Sequence, residues 1–236
     1  MCFSAEASFA GGAIITVIGI ATVTKVHKPS QLIFAMIPLF FGIQQFAEGV
    51  LWVTLPNPEY IGVQKFVTYF FLIMAQLIWP MLIPLSVLFM EENKKKRKFL
   101  WGLLVLGTSL ALYYGICLLL FSVDPKIVGY HIQYNPDFPE SVAKWAFAAY
   151  LIATITPLFV SSVKRIYILG VLMFLSCLVT AIFFTQFLTS VWCFFAAIIS
   201  GVIFWILRDS KKKFKFDKIN LLKKLSLEIK NIQNAK

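Results

Sequence analysis

Charge is scarce in this chain, and acidic charge scarcer still. Asp, Glu, Lys and Arg make up 14% of its 236 residues, with 11 acidic against 22 basic. A soluble domain carries about 25% charged residues, so the shortage excludes an ordinary globular fold. Histidine occurs only twice, at His27 and His131, and no apolar stretch holds a pair of them, which argues against haem and zinc readings. No glycine-rich loop suited to cradling phosphate is present. The stretches 166–187 and 189–207 contain no lysine, which excludes a retinal Schiff base there. Basic residues are also missing ahead of the first apolar run: Glu6 precedes it and Lys25 follows it, the reverse of a secretory signal peptide. Four cysteines, at 2, 117, 177 and 193, form no paired framework, and within apolar stretches they read as small packing residues.

Apolar sequence fills the space that charge leaves. Hydrophobic residues reach 59% and the mean hydropathy is +0.81. A hydrocarbon core of about 30 Å needs about 20 apolar residues per helix. Seven stretches meet or approach that, near 7–24, 31–55, 63–90, 99–122, 142–162, 166–187 and 189–207. The expected fold is an all-α integral membrane protein of seven helices over 1–207, followed by a basic tail at 208–236. Of the 22 Lys and Arg residues, all but Lys65, Lys126 and Lys144 flank alternate ends of these stretches, on one side. Basic flanks stay cytoplasmic, so the N-terminus is expected outside and the C-terminus inside, with the chain in a cell membrane. The same one-sidedness argues against nucleic acid as the partner of the excess charge. In the tail, Ile219, Leu222, Leu225, Ile229 and Ile232 recur at helical spacing among lysines, which predicts an amphipathic helix on anionic inner-leaflet lipid.

Within the stretches, Ser8, Gly12, Thr16 and Gly19 form a small-residue stripe suited to close helix packing. Trp79-Pro80, Pro84 and Pro157 predict kinks. The long loop from Val123 to Ser141, with three prolines and the aromatics Tyr130 and Tyr134, reads as a stiff connector or a lid.

Glu48 stands out. It falls inside the second stretch, about 10 Å from its outer end at 1.5 Å per residue, where a carboxylate is costly unless paired, hydrated or protonated. Gln44, Gln45 and Trp52 share its helical face. Gln76, Trp79 and Tyr114 on neighbouring stretches are candidates for the same outward-opening polar and aromatic pocket, which would bind a small ligand or a lipid headgroup. Two alternatives remain open. One is a membrane-embedded enzyme in which Glu48 is the catalytic base, with a metal held by Cys2, His131 and Glu48. The other is a proton-coupled transporter of 3+1+3 layout. No residue pattern identifies a cofactor.

The opening Met1-Cys2-Phe3-Ser4-Ala5 with Ala7-Ser8-Phe9 resembles a family of uncharacterised bacterial polytopic membrane proteins. The resemblance continues through Gln44-Gln45, Glu48-Gly49 and Trp52, and more weakly through Trp79-Pro80 and Pro84-Leu85. It implies a multi-span membrane protein and transfers no activity.

Overall fold

The computed structural model describes residues 4–183, 195 and 198–209. The Cys2 terminus, the seventh stretch other than 195 and 198–207, and the basic tail beyond 209 lie outside those residues. Helices dominate: α1 (Ala5–Val23), α2 (Leu32–Thr54), α3 (Ile61–Leu72), α4 (Trp79–Met90), α5 (Lys94–Leu120), α6 (Glu140–Val160), α7 (Ile166–Phe183) and α8 (198–209). Five helical runs are long and apolar enough to cross a membrane, namely Ala5–Val23, Pro29–Thr54, Pro58–Met90, Lys94–Leu120 and Ser141–Val160; a shorter apolar helix covers Ile166–Ile182. They coincide with the first six predicted stretches.

Helix α1 starts where Ser4 accepts the Ala7 N–H at 3.2 Å, an N-cap that satisfies one of the donors a helix start leaves free. Its Ser8, Gly12 and Gly19 are buried, as the stripe predicts, and it packs on α2. Close approach is required there: a Cβ on Gly49 would stand 2.9 Å from the Phe9 ring.

The expectation of a purely α fold fails in the long loop. Val123–Val128 and His131–Pro136 form an antiparallel hairpin, β1 and β2, paired from Val123↔Pro136 to Val128↔His131. Gly129, at φ 61°, supplies the left-handed residue of the turn. Pro125 and Pro136 argue against strands in the sequence, because proline cannot donate to a ladder; in a two-stranded sheet every strand is an edge, where proline is tolerated. Ser122 closes the base by donating its hydroxyl to Asp137 at 2.7 Å. Tyr134 then stacks on Phe71 of α3 with centroids 4.8 Å apart.

At the opposite end the chain reversals meet. Lys28 pairs with Glu92 at 3.2 Å, joining the α1–α2 and α4–α5 turns. Arg165, between α6 and α7, pairs with Asp209 at 2.7 Å and lies 4.4 Å over the Trp205 ring. Every described Lys and Arg except Lys65, Lys126 and Lys144 flanks this end. Between the two ends, Phe34, Val87, Leu100, Leu158, Ile166 and Ile203 form a continuous core drawn from α2, α4, α5, α6, α7 and α8.

Candidate functional site

Helix α2 presents two stripes. Gly42, Phe46 and Gly49 face α1, with Gly49 against Phe9 and Phe46 6.3 Å from Phe9 between ring centroids. Phe41 and Gln44 face α4: Phe41 stacks on Trp79 at 4.1 Å, and the Trp79 indole N–H donates to the Gln44 side-chain oxygen at 2.7 Å. At 100° per residue, Glu48 falls within the α4-facing stripe, between Gln44 and Phe41, and Gln45 and Trp52 lie at its edge towards the α1 stripe. The sequence thus places a carboxylate on the face of α2 that meets Trp79. Glu48 is 0% exposed, and Gln44 and Gln45 are each 1% exposed. The Gln45 amide donates to a Glu48 carboxylate oxygen at 3.1 Å.

This arrangement joins four of the predicted residues into two buried pairs, Gln45–Glu48 and Gln44–Trp79. The indole N–H of Trp52, one turn beyond Glu48, is buried without a hydrogen-bond partner among the described residues, and so is the side-chain oxygen of Gln76. Tyr114 belongs to a different group. It meets Tyr113 edge-on at 5.2 Å and Phe138, which follows the hairpin, at 6.3 Å.

The wall opposite α2 departs from the kinked α-helix that the prolines predict. Ile73–Ile78 is a π-turn, and the Trp79 N–H reaches back to the Met74 carbonyl. The next N–H in that pattern, which would serve Ala75, belongs to Pro80 and does not exist. The Tyr150 hydroxyl of α6 donates to the Ala75 carbonyl instead, at 2.7 Å. Pro84 likewise leaves the Pro80 carbonyl without its helical donor. Helix α5 packs directly on that oxygen through Gly107, where a Cβ would collide with it. The sequence marks the prolines, but Tyr150 lies 75 residues from Ala75 and no local pattern links them.

Glu91 went unnoticed in the sequence because it reads as the polar flank of an apolar run. It is 1% exposed. One carboxylate oxygen accepts the Asn93 N–H at 2.9 Å and the other the Ser162 N–H at 2.6 Å, tying the α4–α5 turn to the α6–α7 turn. Burial pushes its carboxyl up, and the N–H groups of Ser162 and Asn93 with nearby Lys96 outweigh that, so the net shift is downward.

For the metal reading, Cys2 lies outside the described residues. Among the described residues no group of three or more His, Cys, Asp and Glu side chains is placed to hold a metal ion. His131 begins β2, where burial holds its imidazole below the ordinary range and hence neutral at pH 7.

The chain belongs to a family of unknown function, DUF6629, whose model matches residues 1–217 and so spans every described residue. No curated protein and no solved structure matches it.

Proposed function

We propose that this chain is a seven-span protein of the cytoplasmic membrane, with its basic end in the cytoplasm, that binds a small polar ligand or lipid headgroup at Glu48. One observation carries the reading: a carboxylate with no exposed surface, inside an apolar helix, beside a side-chain amide. A buried ionisable residue of that kind is retained at a cost of several kcal/mol unless it is compensated. The Trp52 indole N–H in the next turn, without a partner among the described residues, is a donor that such a ligand would take up. Gln44, held by Trp79, gives the site a fixed wall.

Glu48→Gln keeps the shape and removes the ionisation, whereas Glu48→Leu removes the polar group and strands the Gln45 amide, at about 1–3 kcal/mol. The binding reading expects Glu48→Gln to match the wild type in thermal stability while losing the small molecules that co-purify with it, read by mass spectrometry. Retention of the same molecules at wild-type level by Glu48→Gln sinks it.

Proton-coupled transport is a second reading, favoured by the π-turn in the helix facing the site, since π-turns recur at functional positions. A gradient-driven proton flux in liposomes that vanishes in Glu48→Gln distinguishes it from binding alone.

A further inference from the structure

Among the described residues, the acidic groups at the basic end are all committed. Glu91 holds two backbone N–H groups, Glu92 holds Lys28, and Asp209 holds Arg165. Beside them α5 opens with Lys94, Lys95, Lys96, Arg97 and Lys98 and has no acidic residue in its first turn. Arg97 is turned back on the carbonyls of Leu88 in α4 and of Glu91 just after it, at 3.4 and 3.1 Å. Lys94, Lys95 and Lys98 are exposed and make no ion pair among the described residues. The helix itself disfavours them, because its N-terminal end is the positive one. Asn93 caps it with a neutral side chain, accepting the Lys95 and Lys96 N–H groups at 2.9 and 3.3 Å, and so offsets none of this charge.

The same face continues into aromatic side chains. At 100° per residue Trp101 falls in line with Lys94 and Lys98, and Phe99 with Lys95. Both rings stand in the open, Trp101 54% and Phe99 53% exposed. A row of ammonium groups without an ion pair among the described residues, bordering exposed aromatics, matches one surface, the boundary between anionic headgroups and acyl chains, where tryptophan collects and lysine meets phosphate.

We infer that Lys94, Lys95 and Lys98 with Trp101 and Phe99 form a docking face for anionic phospholipid in the leaflet at the basic end. The inference rests on the membrane reading above, and it is separate from the tail. Each lysine is expected to contribute about fivefold in affinity, so the three together contribute about a hundredfold.

The test titrates the detergent-solubilised full chain with short-chain phosphatidylglycerol, phosphatidylcholine or inorganic phosphate, and reads the unfolding temperature. Phosphatidylglycerol should raise it, and the other two should not. In the triple variant Lys94→Gln, Lys95→Gln, Lys98→Gln the apparent affinity for phosphatidylglycerol should fall about a hundredfold. In phosphatidylcholine the same variant should equal or exceed the wild type, because it relieves the repulsion at the helix start. Should the triple variant fail to fold, Lys94→Arg, Lys95→Arg, Lys98→Arg must keep the full response. A chain ending at Lys213 should keep it as well. An equal rise with phosphatidylcholine or phosphate, an unchanged response in the glutamine variant, loss of the response in the arginine variant, or its loss with the tail would each overturn the proposal. Failure of the membrane reading shows separately, as a chain that stays in solution when detergent is removed.

Discussion

Glu91 and Glu48 are both carboxylates with almost no exposed surface, yet their neighbours differ in kind. Glu91 meets backbone N–H groups on two sides, donors that favour its charged form enough to overcome burial. Its pKa in the fold therefore lies below the ordinary 4.5. Stability from this group is present above that ordinary value and is lost as pH falls through the lower, folded one. Glu91→Gln should lower the unfolding temperature at neutral pH, by a loss of about 1–3 kcal/mol, and the gap to the wild type should narrow in scans below pH 4.5. A gap that is constant with pH would mean that Glu91 acts through shape and not charge. Glu48, by contrast, meets a side-chain amide, and its position in an apolar run made it visible in the sequence. Glu91 did not stand out, since nothing local reveals that Ser162, 71 residues on, supplies its second donor.

Among the elements, the run from α3 through the π-turn to α4 shows where sequence reading stops. Prolines at 80 and 84 reveal that hydrogen bonds are missing, but not how the fold replaces them. The replacements come from other helices: a hydroxyl from α6 for the Ala75 carbonyl and the bare Cα of Gly107 against the Pro80 carbonyl. Tyr150→Phe keeps the ring and leaves the Ala75 oxygen without a donor. We expect it to cost about 1–3 kcal/mol in reversible unfolding, while Tyr113→Phe, outside this contact, should cost less. Equal losses would show that the π-turn does not depend on Tyr150. The hairpin is the other element that local reading misjudged. Its prolines point away from strands, and only the pairing of two edges makes room for them.

For the molecule as a whole, the distribution of charge was the most legible feature. The turns that carry nine of the 22 Lys and Arg residues do gather at one end, through Lys28–Glu92, Glu91–Ser162 and Arg165–Asp209. Under the proposed orientation a reporter fused after Lys236 should be cytoplasmic, and one inserted between Tyr130 and Pro139 external. Protease protection that places both on one side would overturn the seven-span arrangement.

The pairing of α1 with α2 bears on how the protein is made. Among the described residues, α1 has its main packing partner in the very next helix. Both helices are complete by Thr54, well before the ribosome reaches the other segments that build the core shared with α2. Chains synthesised from the N-terminus form their early units first, and a contact between sequence neighbours closes a short loop at small entropic cost. Under the proposed membrane reading, the first two helices can therefore leave the translocation channel already joined, offering the remainder a preassembled edge that carries Glu48. The approach of Lys25 to Phe204, at 5.9 Å, must wait until α8 has been translated.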